Sequence, residues 1–313
     1  MEEYPSLRHR NGKYDKIIPG CIRILLKEHA GEKLPEEALA EVERSLQSFR
    51  EEGFASSAAT LPGEDLPGDG GQLSEPGTLF GEEPEDTFFL TNDPEILSSL
   101  QNAGCHAAGY HPAGCVPAPI PGAAYIIEEP DQLERDTLIR IYRRLTGAPW
   151  DILTTKRCLI REMTTEDFEQ TRQLYDTEAS EFLEAPGEGE EDRTFFSQYI
   201  QKVYPFFGYG MWAVILKETG QLIGRAGFEH SPSGGSEVFL GFLIGKQYRR
   251  QGIAGEICTG ILWYGTQMLG FDEIFAEADK KNTVSLHLLR RLGFADAGRA
   301  ENGNLLLRYK PKE

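Results

Sequence analysis

The stretch Glu237–Leu269, EVFLGFLIGKQYRRQGIAGEICTGILWYGTQML, reads as a buried strand that passes through a short basic loop straight into a helix. Val238–Ile244 is almost wholly apolar, as expected for a strand covered on both faces. Arg249-Arg250-Gln251-Gly252-Ile253-Ala254 follows, and in it Gly252 permits close backbone approach and unusual dihedrals. The helix it opens leaves its first N–H groups unpaired, and its dipole favours an anion there, with Arg249 and Arg250 adding positive charge. We therefore expect Arg249, Arg250, Gln251, Gly252, Ile253 and Ala254 to cradle a diphosphate. Ile253, Ile257, Ile261, Tyr264 and Met268 recur at three- and four-residue spacing and predict one apolar stripe against a sheet.

The flanking sequence supplies the rest of a domain. Arg157–Arg161 alternates as a strand and Thr165–Asp176 reads as a capped helix. An acidic connection, Glu178–Asp192, leads to an aromatic helix around Phe195–Tyr204. Trp212–Leu216 and Leu222–Phe228 are strands joined by a hairpin turn at Glu218-Thr219-Gly220, and residues 231–235, SPSGG, turn the chain into the Val238 strand. Phe271–Ala278 reads as a further strand, after which Asn282-Thr283-Val284-Ser285 opens a helix ending at Leu292-Gly293-Phe294.

The Arg-x-x-Gly-x-Ala loop in this setting resembles motif A of the GNAT acetyltransferases, and Asn-x-x-Ser followed by Leu-Gly-Phe is similar to their ribosomal-protein N-terminal acetyltransferase branch. The resemblance covers about Arg157–Tyr309. It implies an α/β chain whose GNAT domain, residues 149–313, is a mixed, mostly antiparallel twisted sheet flanked by helices, with acetyl-CoA as co-substrate held at Arg249–Ala254. It also implies a backbone N–H from Phe242, Leu243 or Ile244 facing the oxyanion where two parallel strands splay, Asn282 on the pantetheine arm, and Ser285 as an acid for the thiolate. Asn282 read by itself is equally a helix N-cap. The tyrosine that many GNAT enzymes use as acid corresponds to Leu289, a departure that leaves room for a non-catalytic acyl-CoA sensor as the alternative to an enzyme.

Acetyl transfer to a primary amine by direct attack in a ternary complex needs the amine deprotonated from a pKa of about 10.4, so a carboxylate or water chain is expected near the acceptor. Glu229 and Glu237 are the candidates, each equally readable as a solvated strand end. The five cysteines are scattered and none sits in a nucleophile motif, which also argues for reduced thiols. Cys105, His106, His111 and Cys115 lack regular zinc-ligand spacing in a Gly/Pro-rich stretch, so no metal is expected; His230 and His287 read as exposed or packed.

A net charge of −18 disfavours nucleic acid and favours a cationic acceptor, and the run of seven acids from Glu178 to Asp192 would lie beside the acceptor site in this family. With no apolar run near the ~20 residues of a membrane helix and no signal-peptide core in MEEYPSLRHRNGKYDK, the expected location is the cytoplasm.

The first half of the chain reads as an accessory region. Ile17–Phe54 is expected to be helical within residues 1–55, 56–86 to be a Gly/Pro/Glu-rich linker, and 87–148 a small α/β unit suited to packing or to a homodimer contact. Its strand Thr87–Thr91, helix to Asn102, strands at His106–Tyr110 and Ala124–Ile127, and helix Asp131–Leu145 weakly resemble half of a haloacid-dehalogenase-like domain. The nucleophilic Asp-x-Asp strand of that family has no counterpart, and no catalysis is expected here.

Overall fold

The computed structural model describes residues 17–28, 33–61, 86–230, 235–300 and 302–311. They fall into two compact units, within Lys13–Ala148 and within Pro149–Glu313. The expected SPSGG turn lies outside the described residues except at Gly235, as do Gly31, residues 62–85 of the expected linker and the N-terminal sixteen residues.

The first unit is a five-stranded sheet in the order β2-β1-β3-β4-β5, parallel throughout. Its strands are β1 (Cys21–Lys27), β2 (Ala55–Leu61), β3 (Thr87–Thr91), β4 (His106–Tyr110) and β5 (Ile126–Ile127). Helices α1 (Glu36–Glu51) and α3 (Arg135–Leu145) cover one face through Val42, Phe49 and Leu138 against Ile22, Ile24 and Leu26. Helix α2 (Pro94–Asn102) covers the other through Ile96, Leu97 and Leu100 against Leu25 and Phe89.

Two expectations are corrected here. The segment after Ile17 is not helical: Cys21–Lys27 is the strand between β2 and β3, because Ile22, Ile24, Leu25 and Leu26 are buried on both of its faces. A short apolar run of this kind has no period that separates strand from helix. Residues 56–61, expected as linker, complete β2, so the helical segment and the small α/β unit form one domain.

The second unit is an eight-stranded sheet in the order β12-β13-β11-β10-β9-β8-β7-β6. It comprises β6 (Asp151–Thr154), β7 (Cys158–Arg161), β8 (Met211–Leu216), β9 (Leu222–His230), β10 (Val238–Ile244), β11 (Ile274–Ala278), β12 (Ala295–Arg299) and β13 (Leu305–Tyr309). Every pairing is antiparallel except β10 with β11, which gives the mixed, mostly antiparallel sheet expected. Helices α4 (Phe168–Arg172) and α5 (Glu190–Phe207) cover one face, where Phe168 and Phe196 meet Met211, Ala213 and Leu243. Helices α6 (Ile253–Gln267) and α7 (Thr283–Arg291) cover the other with Ile253, Ile257, Ile261, Leu286 and Leu289 against Trp212, Val214 and Phe228. Met268, the last member of the expected stripe, lies beyond the end of α6 and is 48% exposed.

Candidate active site

The parallel pair β10–β11 positions the site. β9 pairs with β10 along its whole length, from Val238↔His230 to Ile244↔Gly224. β11 joins β10 at Phe239↔Phe275, and among the described residues no further pair continues that ladder toward Ile244. The β11-facing backbone of Phe242–Ile244 is thus left without a strand partner, and the gap opens toward the carboxyl ends of both strands. The N-termini of α6 and α7 lie at that end, the usual place for a ligand between parallel strands.

Beyond β10, Arg250 and Gly252 both take left-handed backbone, with φ of 61° and 76°. No side chain caps α6, and its first internal bond runs from the N–H of Glu256 to the Gly252 carbonyl. The N–H groups of Ile253, Ala254 and Gly255 therefore point out of the helix start without intrahelical acceptors. Arg157 straps the turn from behind. Its Nη1 donates to the Gln251 carbonyl at 2.9 Å, while its backbone N–H and Nε reach the Glu256 carboxylate at 2.8 and 2.7 Å. Burial works to raise the Glu256 carboxyl, but bonds from Thr155 and from Arg157 outweigh it and hold the group below the usual range.

An open cavity of about 610 Å³ adjoins this turn, with Lys156, Arg157, Lys217, Tyr248, Gln251 and Ile253 in its wall. Glu218 also stands in that wall, whereas the outward amides at the helix N-terminus suit phosphate oxygens.

Several expected residues behave differently from their sequence reading. Arg250 is exposed at the turn, whereas Arg249 turns away from it into a set of acceptors on the α4–α5 side. The Gln251 amide donates to the Gln247 carbonyl at 2.9 Å. Asn282 is the N-cap of α7: its Oδ1 accepts from the Ser285 N–H at 3.1 Å, which leaves the amide NH₂ to face a ligand. Ser285 sits half-buried in the first turn of that helix. Leu289, 1% exposed, belongs to the core beneath it.

The opposite face of the sheet carries Glu229. Arg225, Gly227 and Glu229 alternate along β9 onto this face, beside Leu243, Gly241 and Phe239 of β10. Gly227 and Gly241 are direct partners, and backbone of Gly210 and Met211 lies over Gly227. A Cβ on Gly227 would come within 2.1 Å of the Gly210 carbonyl, so no other residue fits there without backbone movement. A Cβ on Gly241 would stand 3.6 Å from Glu229 Oε2 and 3.1 Å from Met211 Sδ, so both side chains overhang Gly241. Glu237 is instead exposed at the start of β10, folded toward Gly235.

Reasoning from sequence missed the supports of this floor. Arg225 donates to Tyr175 Oη at 2.9 Å and to Glu229 Oε1 at 3.2 Å. Across the gap Glu277, on the face of Phe275, accepts from Asn302 at 3.0 Å. The period-two spacing of Arg225, Gly227 and Glu229 was the available signal. Tyr199 and Tyr204 hold the Met211 backbone through their hydroxyls. Burial pushes Tyr199 up to about 12 and also raises Tyr204 well above the usual tyrosine value, so neither is poised to lose a proton at neutral pH.

The cysteine and histidine cluster of the first unit has other employment. His111 meets the Ala118 carbonyl at 2.9 Å, Cys105 is buried in the core and the His106 ring stands edge-on to Tyr142. His230 bonds the Tyr209 hydroxyl at 2.9 Å.

The second unit thus presents a splayed parallel pair in a mixed sheet, with an uncapped helix start at its mouth. Residues 157–295, somewhat less than half of the chain, match the family described as Acetyltransferase (GNAT) domain, and that match supports an acetyltransferase. An uncharacterized N-acetyltransferase, p20, of Bacillus licheniformis is 26% identical over 150 residues, 47% of this chain and 84% of that protein. The uncharacterized N-acetyltransferase YoaA of Bacillus subtilis is 26% identical over 154 residues, with the same shares of each. Among solved structures, an acetyltransferase of Agrobacterium tumefaciens is similar at 24% identity and a TM-score of 0.45, covering 51% of this chain and 94% of that one. The ribosomal-protein-S5-alanine acetyltransferase of Vibrio fischeri is similar at 14% identity and a TM-score of 0.43, covering 50% and 94%. The family match lies wholly in the second unit, and the haloacid-dehalogenase-like reading of the first unit finds no support. Its strand β1 ends at Lys27 and contains no aspartate.

Proposed function

We propose that the protein transfers the acetyl group of acetyl-CoA to a primary amine, with a small cationic amine or a protein N-terminus as acceptor, by direct attack in a ternary complex. One juxtaposition carries this reading: the gap between β10 and β11 has the uncapped start of α6 beyond the end of β10 and, three strand residues or about 10 Å back from Ile244, Glu229 overhanging Gly241. The amides of Ile253–Gly255 bind the anionic end of the cofactor, and the Asn282 NH₂ steadies its arm. An unpartnered N–H of Phe242–Ile244 faces the carbonyl oxygen. Holding donor and amine in attack geometry supplies the largest share of the acceleration, up to ~7–11 kcal/mol of barrier. Glu229, directly or through water, takes the proton of the amine.

The test is release of free thiol from acetyl-CoA in the presence of a panel of polyamines, aminoglycosides, amino acids and peptides. Amine-dependent release supports the proposal. Coenzyme A binding without release on any amine would instead favour a sensor of acyl-CoA.

A further inference from the structure

We infer that Arg249 is a positioning residue that ties the cofactor loop to the segment bordering the acceptor floor, through Asp176. The inference rests on the proposed cofactor site. Arg249 stands first in the Arg-x-x-Gly-x-Ala turn, where its charge would be expected to face phosphate. Its guanidinium is instead used on the protein. Nε donates to the carbonyl of Ile244, the last residue of β10, at 2.8 Å. Nη2 and Nη1 grip the two oxygens of Asp176 at 2.9 and 3.2 Å, and Nη1 reaches Glu178 at 3.1 Å. Both partners of the fork are about four-fifths buried as side chains, so the pair is shielded more than a surface bridge.

Asp176 also accepts from the Ala179 N–H at 2.9 Å, which fixes the bend where the acidic segment begins. Arg249 holds its carboxyl below the usual range, with the Ala179 N–H assisting. The two residues before it complete the link. Leu174 lies against Gly245, where a Cβ would meet its Cδ2 at 3.3 Å, and the Tyr175 hydroxyl accepts from Arg225 on the acceptor floor. Leu174, Tyr175 and Asp176 therefore touch the start of the cofactor turn, the residue that holds Glu229, and the first arginine of the turn. A ligand that stiffens the turn stiffens this segment through the same contacts, which is a coupling between cofactor and acceptor sites.

Hydrogen exchange on the full chain with and without saturating coenzyme A tests the link. In the wild type, coenzyme A slows exchange both in 250–257 and in 174–182. Asp176→Asn keeps the shape of the side chain and the Arg249–Ile244 bond, so coenzyme A affinity by calorimetry stays within about threefold while the protection of 174–182 is lost. Arg249→Lys, which keeps charge but loses both the fork and the Ile244 bond, likewise loses the protection of 174–182. Retained protection of 174–182 in both variants overturns the inference. Tighter coenzyme A binding by Asp176→Asn overturns it too, because it would mean that Asp176 competes with phosphate for Arg249. A wild type that does not bind coenzyme A at all refutes the cofactor site itself.

Discussion

Replacing Gly252 separates the geometry of the cofactor turn from its bulk. Gly252 has φ of 76°, and a Cβ added there would find its nearest neighbour, Arg157 Nη2, at 3.8 Å. Space is therefore adequate, and the penalty of Gly252→Ala is backbone strain, about 1–2 kcal/mol for an L-residue in left-handed backbone, and larger for the β-branched Gly252→Val. If the free turn keeps its shape, the strain appears as lost stability, and at about 2–4 °C per kcal/mol for a domain of this size the melting temperature falls by about 2–8 °C. If the free turn relaxes, binding must restore the strained shape, and coenzyme A affinity falls by about 5–30-fold for alanine. The α6 start is a turn rather than core, so relaxation is expected to dominate, with valine binding weaker than alanine. Calorimetric titration with coenzyme A and thermal unfolding of both variants measure the two shares. Affinity and melting temperature both unchanged in the two variants would refute the reasoning.

Two further expectations concern the acceptor side. Glu229→Gln should lower kcat by about a hundredfold or more, as loss of a general base does, while leaving coenzyme A affinity untouched; Glu237→Gln, exposed and turned to Gly235, should change kcat little, and equal losses in the two variants, read by steady-state kinetics, would reverse the assignment. Neutralising Glu188, Glu190 and Glu191 together should raise KM for a cationic amine in a salt-sensitive way, and should also cost stability, since Glu190 and Glu191 occupy the first turn of α5 and Glu188 pairs with Arg172 at 2.8 Å; kinetics at two salt concentrations beside a thermal melt would show whether recognition or only the helix suffers.

The strand–turn–helix of the proposed cofactor site was legible because its signals are local: glycine, arginines and a helix start adjoin in sequence. What charge alone could not give was direction. Arg249 and Arg250 look equivalent in the chain, yet one chelates Asp176, seventy-three residues earlier, and the other stays exposed. The acidic run was similarly half-read, because Glu190–Asp192 proves to be the first turn of a helix, where carboxylates complement the dipole. In the first unit β1 was missed since both its faces are buried, which removes the alternation that marks a half-exposed strand. The floor of the acceptor site depends on β9 and β10 lying side by side, and the pairing of Gly227 with Gly241 is a property of register rather than of either segment.

The departure at Leu289 bears on which proton the protein must move. A buried leucine offers no acid there, and among the tyrosines of α5 Tyr199 and Tyr204 have hydroxyls already committed to the Met211 backbone. The need for an acid is nevertheless small. A departing thiolate belongs to a thiol of pKa about 8.5, whereas an alkylamine of the lysine type has a pKa of about 10.4 and must give up its proton before it can attack. At neutral pH the heavier requirement thus falls on the base side, where Glu229 is held over Gly241 by Arg225. Ser285, at the half-buried start of α7, is the closest remaining candidate to assist the thiolate, and its loss should slow the reaction far less than the loss of Glu229.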